Sequence, residues 1–229
     1  MNSRLDTIEI ETASNPQTAV IWLHGLGADG NDFVPVVDEL NLDGMRPLRF
    51  VFPHAPVRPV TINGGMAMRA WYDILHLDFA ARQEDEEGIR ASAEILERLI
   101  ARENARGIAD ECIVVAGFSQ GGAIALQGGL RHTKRLAGIL ALSTYLPLAS
   151  TLDGEAATAN REVPVFMAHG MDDEVIPFRF SVVSRDRLMA AGYRIQWHDY
   201  EMGHTVCMQE IRDLSEWLRG VLSAEASSQ

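Results

Sequence analysis

Apolar and polar positions along the chain follow two periods in turn. Short apolar runs at residues 19–23, 48–52, 112–116, 136–142 and 163–168 each end on a turn signal and predict buried strands. Residues 193–200 alternate, with Ile195 and Trp197 among polar neighbours, and predict one more strand. Between these runs the spacing lengthens to the helical period. It predicts helices over 31–40, 84–105, 121–130, 178–191 and 206–222. The clearest is 84–105, where Ile89, Ala93, Leu96 and Ile100 share a face and Glu84, Asp85, Glu86 and Glu87 crowd the positive end of the helix dipole. That acidic run reads as a solvated helix entry. Residues 53–73 are rich in Pro and Gly and read as a long loop.

Strands that alternate with helices imply a mostly parallel sheet covered on both faces. No linker or repeat interrupts the pattern. The expectation is a single α/β domain over 1–229, with its core at about 18–220 and a frayed tail at 223–229. In such sheets the chemistry sits at the carboxyl ends of the strands.

Composition narrows the function classes. At 47% hydrophobic and 23% charged residues the chain is ordinary for a folded soluble protein, which argues against disorder. The net charge of −12 and the lack of a Lys/Arg cluster make nucleic acid an unsuitable partner, because phosphate binding needs a basic stripe. Cys112 and Cys207 form no metal, redox or disulfide spacing and are expected to serve packing. Residues 1–12 carry Arg4, Asp6, Glu9 and Glu11 among the apolar positions, so no signal-peptide core is present. No apolar run is long enough to span a bilayer. A cytoplasmic location follows as the expectation.

The residues after the strands carry the chemistry. Gly117-Phe118-Ser119-Gln120-Gly121 is G-x-S-x-G between an apolar strand and a helix. That turn presents a serine hydroxyl at the top of the sheet, and glycines on either side let strand and helix close around it. Chance alone yields the pentapeptide in about one such chain in twelve, so its placement carries the weight. The Gln120 amide, at the helix start, points where an oxyanion would form. A nucleophilic serine needs a base and an orienting carboxylate, in the chain order Ser, Asp/Glu, His. Residues 169–174, His-Gly-Met-Asp-Asp-Glu, follow one strand, and Glu201-Met202-Gly203-His204 follow the next. His204 is the candidate base. Asp172 and Asp173 both compete as orienter, with Glu174 as a third candidate. His24, His54, His76, His132, His169 and His198 read as structural or surface residues. Gly25-Leu26-Gly27-Ala28-Asp29-Gly30 matches a dinucleotide fingerprint in form, but no acid ends the following strand to hold a ribose. The alternative is a loop that aims a backbone amide, that of Leu26, at the same oxyanion as Gln120.

These motifs together resemble one family. Leu23-His24-Gly25-Leu26-Gly27, Gly117 to Gly122, Val60-Thr61-Ile62-Asn63-Gly64-Gly65 with Ala70-Trp71-Tyr72-Asp73, the His169-Gly170…Asp173…Pro177 stretch, and Met202-Gly203-His204 are similar to the phospholipase/carboxylesterase family over residues 20–217. The resemblance implies an α/β-hydrolase fold with a mostly parallel central sheet, helices on both faces and no separate lid domain. It implies a Ser119–Asp173–His204 triad, favouring Asp173 over Asp172, and an oxyanion hole from the Leu26 and Gln120 amides. Trp71 matches a family position near the acyl site; its other reading is packing of the long loop onto the core. With Phe118 it makes up the candidate substrate-binding pair. No metal or organic cofactor is implied, and a homodimer is an open expectation.

The function expected is a serine carboxylesterase acting on small-molecule esters of short to medium acyl chains. The alternative is an acyl-protein thioesterase or lysophospholipase working on long chains. A non-catalytic hydrolase-fold binding module is the reading from another class. The acidic balance favours neutral soluble esters over anionic bilayers. Arg131, Lys134 and Arg135 could meet an anionic headgroup or merely suit a helix C-terminus.

Overall fold

In the computed structural model, which describes residues 6–76 and 83–223, the apolar runs become the middle of a seven-stranded sheet. The elements follow in chain order: β1 (Thr7–Glu11), β2 (Thr18–Leu23), α1 (Val36–Glu39), β3 (Leu48–Pro53), β4 (Val57–Val60), β5 (Met66–Arg69), α2 (Glu86–Ala105) and β6 (Ile113–Phe118). Then come α3 (Gln120–Gly129), β7 (Gly138–Leu142), α4 (Leu152–Glu155), β8 (Val165–Gly170), α5 (Phe178–Ala190), β9 (Ile195–Tyr200) and α6 (Met208–Ser223). The sheet order is β1-β3-β2-β6-β7-β8-β9, parallel throughout except for β1, which runs antiparallel to β3.

The two-residue period of a strand sorts its side chains onto two cores. From β2, Ala19, Ile21 and Leu23 enter the core shared with Ile89 and Leu96 of α2 and Ile124 of α3. Val20 and Trp22 enter the opposite core, with Val37 of α1 and Trp217 and Leu218 of α6. Both faces of the central strands are therefore covered, which is why they read as unbroken apolar runs.

Three stretches depart from the sequence reading. The helix expected over 31–40 shrinks to α1, because Pro35 has no N–H to continue a helix and stands at its start instead. The expected loop 53–73 holds an antiparallel ribbon of β4 and β5. Gly64 and Gly65 close that ribbon at φ of 66° and 78°, and a two-stranded ribbon leaves a free edge on which Pro59 is tolerated. The third is β1, which the sequence reading missed. Its Ile8 and Ile10 pack on the sheet, while Glu9 and Glu11 pair with Arg102, Arg106 and Arg49. Of the expected tail at 223–229, Ser223 ends α6 and 224–229 lie outside the described residues. Among the described residues no helix is long and apolar enough to cross a membrane.

Candidate active site

The turn between β6 and α3 holds Ser119 at φ 55° and ψ −121°, a conformation that side-chain-bearing residues rarely adopt. Its backbone is pinned from both sides. Ser119 N–H donates to Leu142 O (2.8 Å), and Ser119 O accepts from Thr144 Oγ1 (2.6 Å) and Ala123 N–H (3.1 Å). The flanking glycines are required by space. A Cβ on Gly117 would stand 2.3 Å from the Gly121 carbonyl, and one on Gly121 would stand 2.2 Å from Leu23 O.

The loops after β8 and β9 bring Asp173 and His204 to this serine. His204 Nε2 lies 2.9 Å from Ser119 Oγ, and His204 Nδ1 lies 2.7 Å from Asp173 Oδ2. A carboxylate can only accept, so the ring proton sits on Nδ1 and Nε2 is left to accept from the serine hydroxyl. Asp173 is buried. Its Oδ1 accepts the amides of Val175 and Ile176, both at 2.8 Å, and its Oδ2 also faces His169 Nε2 at 3.3 Å. Burial alone would raise this carboxyl, but the hydrogen bonds from His169, His204 and the Ile176 amide outweigh it and hold it well below the usual carboxylate range. Of the acids that spacing left open, Asp173 meets His204; Asp172 and Glu174 are exposed.

The Gly-rich loop after β2 reaches the same place. Gly25 lies against Ser119 and Phe118, and Leu26 lines a pocket that also holds Ser119 and Gln120. The pocket has a volume of about 710 Å³, mouth included, and its walls are largely apolar: Ile62, Tyr72, Ile74, Tyr145 and Ile176 join Leu26. The hydroxyls of Tyr72 and Tyr145 hydrogen-bond to each other. His76, Asp73, Glu84 and Asp85 add polar groups to the lining. Sequence reasoning did not reach these lining residues. They come from loops, and the only signal was that 60–65 and 70–73 belonged to the family-like motifs.

The two candidate substrate contacts are not among the residues lining this pocket. Trp71 is fully buried and is absent from the pocket lining; its indole N–H donates to His24 O at 2.9 Å. It packs the loop onto the core, the other reading that the sequence allowed. Phe118 is also absent from the lining; its ring packs at a tilt against that of His204, with centroids 4.7 Å apart. Among the remaining histidines, His132 is buried between Glu97 and Asp110, at 2.9 and 2.7 Å. Burial would lower it, but those two carboxylates win and raise it. His198 stacks on Phe166. Arg131 is committed to Glu155 and Thr151, and Lys134 to Asp110. Among the described residues no cluster of three His, Cys, Asp or Glu side chains is suited to hold a metal.

A family model described as phospholipase/carboxylesterase matches residues 5–222. Acyl-protein thioesterase 1 of Gibberella zeae is 37% identical over 226 residues, covering 95% of this chain and 96% of that protein. Acyl-protein thioesterase 1 of Neurospora crassa is likewise 37% identical, covering 94% and 91%. Among solved structures, SOBER1 of Arabidopsis thaliana superposes with a TM-score of 0.85 at 29% identity, covering 90% of this chain and 99% of that one. Acyl-protein thioesterase 2 of Zea mays gives 0.84 at 28% identity, covering 96% and 100%.

Proposed function

This chain belongs to the phospholipase/carboxylesterase family, and on that premise we propose that it is a serine hydrolase whose preferred substrates are acyl thioesters of long chains, with oxygen esters turned over as well. The observation that carries the reading is the largely apolar pocket opening directly beside Ser119, which suits an acyl chain rather than a small polar acid. The acyl-protein thioesterases of Gibberella zeae and Neurospora crassa support it. The net charge of −12 belongs to the whole chain, whereas the apolar lining acts locally on the acyl group.

In the proposed mechanism His204 Nε2 takes the Ser119 proton as Oγ attacks the acyl carbonyl. Asp173 keeps the imidazole in the Nδ1–H tautomer and stabilises the imidazolium. The amides of Leu26 and Gln120 hold the tetrahedral oxyanion; one such donor is worth about 3 kcal/mol. The thiol or alcohol leaves with the proton from His204, and water releases the acyl group by the same path in reverse.

The test is a series of p-nitrophenyl esters of rising chain length set beside an S-palmitoyl peptide, with Ser119→Ala as control. Expected are rising kcat/KM with chain length, efficient thioester cleavage, and loss of both in the control. A sharp optimum at two to four carbons with no thioester cleavage would return the reading to a short-chain carboxylesterase.

A further inference from the structure

The two amides proposed to hold the oxyanion sit on different loops, and one set of buried side chains ties those loops together. Start with Leu26. A trans peptide is planar, and its C=O and N–H point in opposite directions. Fixing the Gly25 carbonyl therefore fixes the direction of the Leu26 N–H. His24 Nδ1 lies 2.7 Å from Gly25 O, and the Ala28 amide donates to the same oxygen at 3.4 Å. His24 Nε2 accepts from Ala55 N–H at 3.0 Å. A carbonyl can only accept and an amide N–H only donate, so His24 is held neutral with its proton on Nδ1. Burial works the same way and lowers its pKa to about 4.

Gln120 carries the second amide. Its backbone N–H opens α3 and has no acceptor within the helix. Its buried side chain reaches across to the other loop. Oε1 accepts from Trp71 N–H and Nε2 donates to Tyr72 O, both at 2.7 Å. Trp71 closes the circuit, because its indole N–H donates to the carbonyl of His24 at 2.9 Å. The chain His24–Trp71–Gln120 thus runs without a break from one amide-bearing loop to the other. All three side chains are buried, where such bonds are strong and hard to exchange for water.

We propose that Trp71 and His24, with the side chain of Gln120, are positioning residues that hold the Leu26 and Gln120 amides at a fixed separation and direction, so that the oxyanion hole exists before substrate arrives. The proposal rests on Ser119 acting as nucleophile. Preformed donors stabilise the transition state without reorganising, so their misalignment affects kcat more than substrate binding.

The test uses Trp71→Phe, which keeps an aromatic ring and removes the indole donor, and Gln120→Met, which removes the side-chain clasp and keeps the backbone amide. Each is assayed with a p-nitrophenyl ester, with an alkyl boronic acid as a tetrahedral mimic, and by thermal unfolding. In each, kcat should fall at least tenfold with KM within about twofold, and boronate affinity should fall by a similar factor. If one variant does not fold, the other decides. A kcat within twofold of wild type in a folded variant overturns the proposal. So does a raised KM at unchanged kcat, which would make Trp71 a substrate contact. Equal turnover by wild type and Ser119→Ala would remove the nucleophile assignment and the proposal with it. An inactive Ser119→Ala beside fully active Trp71→Phe and Gln120→Met removes the proposal alone.

Discussion

His204 Nδ1 stands 2.7 Å from Asp173 Oδ2, the carboxylate oxygen that the Val175 and Ile176 amides leave open. The carboxylate is thus divided between two tasks: Oδ1 shapes its own loop and Oδ2 orients the imidazole. Asp173→Asn separates the tasks. The asparagine oxygen can keep the two amide bonds, while its NH₂ faces His204 Nδ1 and drives the ring proton to Nε2. The expected result is a kcat loss on the order of 10⁴-fold with the unfolding temperature changed by only a few degrees. A loss smaller than tenfold would count against Asp173 as orienter.

Gly121→Ala tests the close approach of α3 to β2. The new Cβ would meet Leu23 O at 2.2 Å and His24 O at 2.6 Å, both backbone atoms of a central strand and its end. Neither can swing away as a side chain would. The expected cost is about 2–3 kcal/mol, which for a chain of this size lowers the unfolding temperature by roughly 5–10 °C. Calorimetry showing an unchanged midpoint would contradict the packing argument.

Glu210 makes stability depend on pH. It is fully buried in the first turn of α6, and desolvation pushes its carboxyl up to about 8, against the opposing pull of the Cys207 amide. Unfolded, it loses its proton near the ordinary glutamate value of 4.5. Between those values the native state holds a proton that the unfolded state has released, so stability falls as pH rises, by on the order of 1 kcal/mol per unit. Glu210→Gln should flatten that fall between pH 5 and 8. His132, raised by its two carboxylates, also contributes less as pH climbs past its folded value. The informative quantity is therefore the difference between wild type and variant in denaturant titrations. Parallel curves for the two proteins would show that Glu210 is not the group responsible.

Arg49→Met should be costly. Arg49 is almost fully buried in β3 and reaches Glu103 Oε2 of α2 at 2.8 Å, with Arg102 and Arg106 on the other oxygen. Removing the arginine leaves a buried carboxylate short of a partner, a loss of about 3 kcal/mol. Arg49→Met combined with Glu103→Leu should recover part of it, because both charges then leave the interior. Urea unfolding of the two variants provides the comparison.

Much of the site could be read without coordinates, for a physical reason. Strand ends in a parallel sheet all face one way, so motifs that follow successive apolar runs must gather on one rim. Ser119, His204 and the pair Asp172/Asp173 were legible on that ground. The choice between the two aspartates was not, because it depends on which side of a tight turn each faces; the family resemblance favoured Asp173. β1 escaped notice because Glu9 and Glu11, which look like solvent-facing charge, are the polar half of a short alternating strand paired to arginines far along the chain. The β4–β5 ribbon was hidden by its own turn, since Pro59, Gly64 and Gly65 are the residues that mark a loop. Trp71 showed the opposite failure. The resemblance set it at a family position near the acyl site but could not reveal that its indole N–H donates to the backbone carbonyl of His24.

The position of β9 at the open edge of the sheet has a consequence for assembly. In the proposed mechanism the serine on the β6–α3 turn and its base lie 85 residues apart, and the base follows β9, which among the described residues pairs with β8 alone. A growing chain therefore carries its nucleophile long before anything can activate it. On that mechanism turnover begins once β9 docks and delivers His204, so the first appearance of activity during refolding or synthesis reports that docking.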